Sequence, residues 1–448
     1  MAVYAFPSTG PAARCQNPAA KCEFLKKDQP MAQAPDTDIV IAGGGPVGMA
    51  QALAIAGPGA RAKLSVALVN PQPLRDAGKP QSDGRAYNLA ASSMRMLAAL
   101  GLGEALAPHA QPIHDIIVTD DGDGGARPPL LNFDNRDETP AGAGQPASYI
   151  IAAEHLNAAL AEAVLAAPAI EVFEGERVAA PGAPGAALAV RLGSGREIRT
   201  RLLIAADGRA SPLRAAMGLK SLSWPHHQTA IVMAVQHEED HLGRAYEHFR
   251  APGPFAVLPL PGGHQSSLVW TERPDEAKRL MELDDEAFAA ELELRCGTEL
   301  GKVRPAGKRF AYPLTGVLAQ DYIAPRFALI GDAAHGIHPI AGQGVNLGYR
   351  GVAALAEVLS EAAFLGRDIG AVDVLEAYQQ WRRFDAMALV AGCAALNELF
   401  ANDNGLVRAM RDLGLGAVER IAPLKRYFVN EAAGSHGDLP RLLLGEPV

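Results

Sequence analysis

The chain has 448 residues, of which 48% are hydrophobic, and its formal net charge is −9. This length exceeds what one compact core usually holds and indicates two or three subdomains. The acidic balance, without any basic run, argues against a nucleic-acid partner, because phosphate binding needs Lys and Arg clustered on one face.

Cysteine usage and hydropathy limit the cellular compartments in which the protein is expected. Cys15, Cys22, Cys296 and Cys393 show neither metal nor redox spacing, and so few cysteines in a long chain fit a reducing compartment. The longest apolar runs, such as AMALVAGCAAL, fall short of the ~18 residues that span a membrane. We therefore expect a cytoplasmic protein that is peripheral to the inner membrane at most.

Residues 1–35 are predicted to be a disordered extension. They are rich in Ala, Pro, Lys and Gln, show no periodicity, and lack the apolar segment of a secretion signal. Met31 lies directly before the first predicted strand. A true start at Met31 and a functional tail therefore remain equally open.

The first predicted unit is a strand, a glycine turn, a helix and a second strand. The apolar stretch 38–41 precedes GGGPVG, an alanine-rich helical pattern follows, and SVALVN completes the unit. In this context, G-x-G-x-x-G assigns Gly43 to the turn, Gly45 to close approach of a pyrophosphate, and Gly48 to helix packing. We assign these glycines and Pro46 to dinucleotide binding at a helix N-terminus, against the alternative of a turn without a ligand.

The second strand of this unit ends in Asn70, where an acid is usual. An Asp or Glu about 20 residues beyond the glycines normally accepts hydrogen bonds from the ribose hydroxyls. The Asn70 amide oxygen can accept one such bond, although a neutral acceptor holds less tightly than a carboxylate. We expect Asn70 to contact the cofactor.

Two more strands run into acidic turns further along the chain. RLLIAADG ends in Asp207-Gly208, and FALIGD ends in Gly331-Asp332. Ligands of open α/β sheets bind at the carboxyl ends of such strands. For Asp207, a helix cap is the alternative.

Together, the three motifs resemble the flavoprotein aromatic hydroxylases of the p-hydroxybenzoate hydroxylase fold, over roughly residues 36–385. Within that class, GDAAHGIHPIAGQGVNLGYR, SDGRAYNLAASSMRMLAALGL and HFRAPGPFAVLPLPGG resemble the hydroxylases of ubiquinone biosynthesis. The resemblance places Arg85 near the flavin, Asp332 on the ribityl chain, and Gly342, Gln343 and Gly344 against the isoalloxazine ring.

The residues around this loop agree with that placement. The glycines of AGQG allow the backbone to approach a flat ring, and the apolar periodicity from Val345 to Leu359 predicts a helix that begins at the loop. Its positive end would stabilise the negative charge of a reduced flavin. We also assign Pro339, Val345 and Asn346 to the cofactor site, Pro339 as a stiffener of the loop.

Three positions depart from the family pattern: Asn70, Gly351 where an Asp is expected, and Ala153, or Ala152 in another register, where an Asn is expected. Each departure weakens the polar contacts that would hold FAD.

Two motifs suggest metal ligands, but HEEDH at 237–241 follows a predicted strand rather than lying on a helix, so we interpret it as a charged, solvated turn. His335 and His338 are expected to pack and hydrogen-bond around the flavin loop, and no metal site is predicted.

The predicted fold is α/β, with a discontinuous Rossmann-like FAD-binding domain, a β-sheet substrate domain and C-terminal helices. The FAD-binding domain takes residues 36–110, 150–222 and 312–365, the substrate domain takes 111–149 and 223–311, and the helical region takes 366–448. Strands TAIVMAVQ, FAVLPL and SSLVW are expected in the substrate domain.

By the resemblance, the chain is a monooxygenase that uses FAD, NAD(P)H and O₂ to hydroxylate a polyprenylated phenol in ubiquinone biosynthesis. So apolar a substrate implies work at a membrane surface or inside a biosynthetic protein complex. The cofactor performs the chemistry while the protein positions the ring and excludes water, and no acid or base is assigned. Hydroxylation of another aromatic compound and a non-catalytic flavin-fold subunit of the complex remain the alternatives.

Overall fold

A computed structural model describes residues 34–79, 84–120, 131–134, 146–400, 433–434 and 437–448. The predicted disordered extension lies outside the described residues except for its last two positions. Residues 35–448 form one compact unit.

The strands of the described residues occupy three sheets. In chain order they are β1 Thr37–Ala42, β2 Val66–Asn70, β3 Ala86–Ala90, β4 Gln111–Pro112, β5 Asp115–Asp120, β6 Leu131–Asp134, β7 Ser148–Ala152, β8 Ile170–Glu174, β9 Val178–Pro181, β10 Leu188–Leu192, β11 Glu197–Ala205, β12 Ser221–His237, β13 Arg244–Phe249, β14 Phe255–Pro259, β15 Gln265–Glu272, β16 Val303–Pro305, β17 Phe310–Ala319, β18 Ile323–Ala324, β19 Phe327–Leu329 and β20 His335–Gly336.

The helices follow the same order. They are α1 Pro46–Ala56, α2 Ala91–Ala99, α3 Gly103–Leu106, α4 Ala153–Ala166, α5 Pro212–Ala216, α6 Pro274–Glu282, α7 Asp285–Cys296, α8 Gly344–Phe364, α9 Val372–Phe400 and α10 Arg441–Leu444. Short 3-10 turns cover Leu74–Gly78, Ala107–His109, Gly331–Ala333 and Pro339–Ala341.

The first sheet has a parallel centre in the order β19-β11-β1-β2-β8, with β18 beside β19. The antiparallel β10 lies beside β11, and β9 lies beside β10. Ile39, Val40 and Ile41 of β1 are fully buried, as expected for a parallel strand that is covered on both faces. Helices α1, α4 and α8 contribute side chains to the same core. Strands from three separate stretches of chain thus build one unit, as predicted.

The second sheet runs β20-β17-β12-β15-β14-β13-β5-β6, with β16 beside β12, and is antiparallel except between β13 and β5. Its side chains alternate between two faces. The outer face packs against α6 and α7 in a core that includes Met233, Tyr246, Val257, Leu268, Trp270, Phe288 and Leu292. The opposite face, called the inner face below, includes Val232, Ala245, Glu247, Ala256, Leu258, Val269 and Tyr312.

The small sheet β3-β7-β4 adjoins the inner face, because Ala86 and Ile150 share a buried cluster with Ala245 and Leu258. The predicted strands TAIVMAVQ, FAVLPL and SSLVW lie in β12, β14 and β15, which confirms the predicted β-rich second sheet. The numerical domain boundaries stay a prediction. None of the helices within the described ranges is long and apolar enough to cross a bilayer.

Candidate functional site

The three motifs found in the sequence meet at one edge of the first sheet. Strands β1, β11 and β19 are parallel neighbours, and their carboxyl ends lead into the glycine turn, Asp207 and Gly331 respectively. The loops after these strands therefore lie side by side. This is the edge at which open α/β sheets bind ligands.

Two glycines of the turn are required by packing. Gly43 has a φ of +114°, and a Cβ there would overlap the Ala206 carbonyl oxygen, while a Cβ at Gly48 would overlap the Gly43 carbonyl oxygen. Gly45 differs, because no atom lies within 4 Å of the position of its Cβ. It borders open space at the start of α1, where no side chain caps the helix. The first N–H groups of α1 are therefore available to a phosphate.

Asn70 holds the glycine turn in shape. Its Oδ1 accepts a hydrogen bond of 2.9 Å from the buried Gly44 N–H, and its Nδ2 donates to the Gln72 carbonyl at 2.7 Å. The amide thus bonds on both sides to its own chain. A contact from Asn70 to a ribose hydroxyl stays a prediction, and it would use the second lone pair of Oδ1.

Asp207 caps a helix, which was the alternative for this residue. Its Oδ1 accepts from the Ser211 hydroxyl at 2.6 Å and its Oδ2 from the Leu213 N–H at 3.2 Å, at the start of α5. Burial raises the pKa of Asp207 above its ordinary value, although these hydrogen bonds act in the opposite direction. Gly208, with a φ of +85°, has no atom within 4 Å of its Cβ position and borders open space. Asp207 therefore shapes the site while Gly208 leaves room in it.

Arg209 links the second and third motifs. Its Nε donates to Asp332 Oδ2 at 2.9 Å, and its terminal nitrogens donate to the carbonyls of Thr315 at 3.0 Å and Ile337 at 3.3 Å. This fixes the Asp332 carboxylate, and its other oxygen has no partner in the described part of the chain. The Asp332 side chain is 42% exposed, so that oxygen can accept a ligand hydroxyl.

Gly331 and Gly348 bring the third motif against α1. A Cβ at Gly331, whose φ is +57°, would lie 3.0 Å from Val47 Cγ1, and one at Gly348 would lie 2.7 Å from Val47 Cγ2. Both glycines therefore allow Val47 to pack between the third motif and α8. The close approach of these elements places the N-termini of α1 and α8 on one region of the protein.

The ring loop, residues 338–344, leads into α8. Pro339 opens a 3-10 turn, Gly342 follows in the left-handed region with a φ of +61°, and Gln343 caps α8 without a side-chain hydrogen bond to the helix backbone. A Cβ at Gly344 would meet nothing closer than Ile337 Cγ1 at 4.0 Å. The loop therefore presents open backbone at the positive end of a 21-residue helix.

Asn346 anchors α8 rather than facing open space. Its Oδ1 accepts from the Ala90 N–H at 2.9 Å and the Ser93 hydroxyl at 2.8 Å, and its Nδ2 donates to the Asn88 carbonyl at 2.8 Å. It also donates to Gln343 Oε1 at 3.3 Å. Asn346 is 2% exposed, so its contribution to a cofactor site is to position the loop. Val345, beside it, is 9% exposed and belongs to the main core.

His338 packs and hydrogen-bonds at the ring loop, as predicted, whereas the buried His335 ring packs against Tyr322 and its Nδ1 has no hydrogen-bond partner among the described residues. His338 Nδ1 accepts from the Ile340 N–H at 3.1 Å, so its Nε2 carries the proton that bonds Gln228 Oε1 at 3.0 Å. Burial lowers the pKa of His338 to about 3 and that of His335 to about 4. Both rings are therefore neutral at physiological pH. No group of three metal-ligating side chains occurs among the residues that the structure describes.

Arg85 lies where the small sheet meets the inner face of the second sheet. Its guanidinium carbon is 5.8 Å from the ring centres of both Tyr87 and Tyr312. Its carbonyl accepts a hydrogen bond of 2.8 Å from the N–H of Ala153, the position that departs from the family pattern. At Gly351, another such position, a Cβ would lie 3.5 Å from the Tyr378 hydroxyl. These two small residues are thus closely packed against their surroundings.

The HEEDH motif confirms one prediction and corrects another. His237 ends β12, and the motif continues into a turn, as predicted. Its histidines are not solvated, however, since His237 is 6% and His241 is 3% exposed. His237 bonds Ser266 Oγ and the Glu239 carbonyl, and His241 bonds the Leu260 carbonyl. The intervening acids alone are exposed, because cross-strand neighbours cover both rings.

Sequence reasoning missed Arg209 and Asn88. Arg209 directly follows the Asp207-Gly208 motif, so its position was the available signal. Asn88 lies in the quoted stretch SDGRAYNLA, and its buried Oδ1 has no hydrogen-bond partner among the described residues. Its Cβ would lie 3.0 Å from a Cβ at Gly342. Asn88 therefore offers an unsatisfied acceptor beside the ring loop, which suits an N–H donor on a bound ring.

These features fit FAD. The open N-terminus of α1 suits the diphosphate, the free Asp332 oxygen suits a polyol hydroxyl, and the ring loop with Asn88 suits a flat ring that has both N–H and carbonyl groups. The glycines at 45, 208 and 344 leave space that a side chain would fill.

Comparison with known proteins agrees with this geometry. The family described as FAD binding domain matches residues 36–392. A ubiquinone hydroxylase of Rhodospirillum rubrum is 42% identical over 434 residues, which cover 94% of this chain and 97% of that protein. A 3-demethoxyubiquinol 3-hydroxylase of Escherichia coli is 33% identical over 418 residues, covering 89% of this chain and 98% of its own.

Solved structures share the fold. The p-nitrophenol 4-monooxygenase of Pseudomonas putida superposes with a TM-score of 0.74 at 20% identity, over 90% of this chain and 99% of that one. At this identity the likeness shows the architecture alone.

Proposed function

This chain belongs to the FAD binding domain family, and from that premise we propose that it is an FAD-dependent monooxygenase that hydroxylates a ring in ubiquinone biosynthesis. The observation that carries the proposal is the meeting of three motifs at adjacent strand ends, with open backbone at the N-termini of both α1 and α8. Two relatives that span almost the whole chain are named for hydroxylation of ubiquinone or of a ubiquinol precursor.

The residues divide the work of holding FAD. The N–H groups at the start of α1 would hold the diphosphate, Asp332 would accept a hydrogen bond from a ribityl hydroxyl, and residues 342–344 would face the isoalloxazine ring. Bound FAD would supply the activation of O₂ and the transfer of one oxygen atom to the substrate. The N-terminus of α8 would stabilise negative charge on the ring without a lysine.

The protein orients the substrate and keeps water from the reacting centre. The inner face of the second sheet supplies an apolar wall that closes over the ring loop. We propose a polyprenylated phenol as the substrate and NAD(P)H as the reductant. So apolar a substrate is delivered by a membrane surface or by a protein partner.

Two experiments test the proposal. Purified protein should be yellow with non-covalent FAD, and Asp332→Ala should lower the flavin content because the ribityl contact is lost. Protein that is colourless and ignores added FAD contradicts an FAD-dependent reaction. In the source organism, deletion of the gene should lower ubiquinone and leave an under-hydroxylated precursor in lipid extracts, and normal ubiquinone without a redundant hydroxylase would remove the pathway assignment.

The weakened polar positions favour one alternative, a flavin-fold subunit that organises a biosynthetic complex without catalysis. Asn70, Ala153 and Gly351 each replace a polar group expected from the family pattern. NADH and NADPH oxidation that depends on added phenol separates the two functions, because only an enzyme couples reductant consumption to its substrate. A hydroxylase of another aromatic compound would instead show full turnover with a phenol that has no prenyl chain.

A further inference from the structure

Glu247 occupies the inner face of the second sheet among apolar neighbours. It lies on β13, opposite Val118 of β5 on one side and Ala256 of β14 on the other. Ala245 and Phe249, two residues away along the strand, share its face. Each of these four neighbours has an aliphatic or aromatic side chain. None of these four positions therefore places a polar side chain beside the carboxyl.

No hydrogen bond or ion pair satisfies the Glu247 carboxyl within the described ranges, although it keeps some accessible surface. The charged groups nearby in sequence point the other way: Arg244 pairs with Asp115, and Arg250 pairs with Glu272, on the outer face. Burial alone raises the pKa of Glu247 to about 8. A partly accessible carboxyl in apolar surroundings is typical of a residue in a substrate-binding site.

Glu247 shares the inner face with residues that contact the small sheet and the loop before Arg85. Ala245, two residues away on β13, packs in one cluster with Ile150 and Ala86 of the small sheet. Across the second sheet, the row of Glu247 continues through Val269 to Phe310, and a Cβ at Gly84 would contact the Phe310 ring at 2.5 Å, next to Arg85.

The adjacent row ties the inner face to the ring loop. It contains Thr271, Ala230 and Tyr312, and Tyr312 lies beneath Arg85. Gln228, two residues before Ala230 on β12, bonds His338 of the ring loop. The second sheet and the ring loop are therefore in direct contact at this point.

Two more polar groups of the inner face lack partners. The hydroxyls of Ser267 and Thr271 have no hydrogen-bond partner in the part of the chain that the structure describes, although the residues are 2% and 1% exposed. Both flank Val269 on β15, the strand next but one to β13. Such unpaired buried hydroxyls are uncommon in folded proteins, and both belong to the face that carries Glu247.

We propose that Glu247 is the catalytic base that accepts the hydroxyl proton of the phenolic substrate, an inference that rests on the proposed function. The phenol O–H bond breaks, its electron pair stays on the phenolate oxygen, and the proton forms a new O–H bond with a Glu247 carboxylate oxygen. The phenolate ring is more electron-rich and therefore attacks an activated oxygen faster.

The surroundings of Glu247 suit this role. A phenol ionises near pH 10, and an ordinary carboxylate is too weak a base to compete for its proton. Burial without a cationic partner strengthens the Glu247 carboxylate as a base, and a well-placed base contributes about 10²- to 10⁴-fold to a rate. Deprotonated Glu247 is required, so the reaction should weaken as pH falls below about 8.

The test uses FAD-loaded protein and 2-(3-methylbut-2-enyl)phenol as the probe. An ultraviolet difference spectrum reports the pH at which the bound phenol ionises, and it needs no turnover. In the wild type, the ionised Glu247 carboxylate disfavours a second negative charge beside it, so the phenolate band should appear at a higher pH than the ~10 of a free phenol. Glu247→Gln removes that charge and should return the band to near pH 10, and Glu247→Asp should keep part of the displacement. Glu282→Gln, an exposed site on α6, is the matched control and should behave as wild type.

Turnover gives the second readout. Glu247→Gln should lower kcat/KM for the probe about 100-fold at pH 7 while flavin content stays unchanged. A ring-fluorinated probe, whose hydroxyl ionises more readily, should shrink the ratio of wild type to variant by about tenfold. Equal turnover of wild type and Glu247→Gln overturns the inference, as does a phenolate band that appears at the same pH in both proteins. A wild type whose band is displaced but which never hydroxylates the probe contradicts the proposed function and leaves Glu247 beside the bound phenol.

Discussion

Replacing Asn70 with Leu should destabilise the protein even before FAD binds. The substitution removes the acceptor of the Gly44 N–H and the donor to the Gln72 carbonyl. Gly44 is buried, and an unsatisfied buried N–H costs about 1 to 3 kcal/mol, whereas Gln72 is exposed and its carbonyl can turn to water. We therefore expect FAD-free Asn70→Leu to lose about 1 to 3 kcal/mol in urea unfolding.

Matched variants separate this role from direct cofactor binding. Asn70→Asp keeps the acceptor for Gly44 and should recover most of the lost stability. Gln72→Ala keeps the backbone carbonyl that Asn70 uses and should change nothing. If Asn70→Leu left the stability of the FAD-free protein unchanged while FAD affinity, measured by flavin fluorescence, fell about fivefold, the loss would correspond to one ribose hydrogen bond of ~1 kcal/mol. That result would refute the role assigned to Asn70 in the turn.

Three further outcomes follow from the site. Gly48→Ala should lose both FAD and about 1 to 3 kcal/mol of stability, because its Cβ overlaps the Gly43 carbonyl. Gly45→Ala, whose Cβ has no atom within 4 Å, should lose FAD alone. Equal unfolding midpoints for the two variants would contradict this expectation. Gly342→Ala should lose about 1 to 2 kcal/mol of stability, because the φ of this residue is +61°. Gly344→Val should fold and bind less FAD. A yellow, fully active Gly344→Val protein would show that the ring loop does not contact the flavin ring. Since burial lowers the pKa of His338 from 6.5 to about 3, the unfolded chain binds a proton that the folded protein excludes. The free energy of unfolding should therefore be highest above pH 6.5 and decline towards pH 3, and it should decline less steeply in His335→Phe. A free energy of unfolding that stays constant over that pH range would count against the buried neutral histidines.

The ring loop turns at the first glycine of AGQG. The positive φ belongs to Gly342, two residues before Gly344. Gly344 is the first residue of α8 and has ordinary helical geometry. A run such as AGQG does not indicate which glycine turns the chain, because that depends on where the helix begins.

The sequence alone determined the cofactor fold and the places of its three motifs. Period-two and period-3.6 patterns, broken by glycines at the right places, locate the strands, the turns and the N-termini of α1 and α8, since local backbone sterics and burial dictate these patterns. The three motifs and the flavin loop could thus be recognised without a structure.

Only the tertiary structure decided which side chains are free for a ligand. Asn346 bonds Ala90 across 256 residues, Asp207 caps α5, and Arg209 fixes Asp332, so similar polar residues have different tasks. Glu247 appears ordinary in the sequence because a carboxylate on a strand is usually solvated. Its raised pKa arises from its apolar neighbours on β5 and β14. These neighbours are brought together by pairing between strands that are distant in the chain, and no local sequence pattern encodes that pairing.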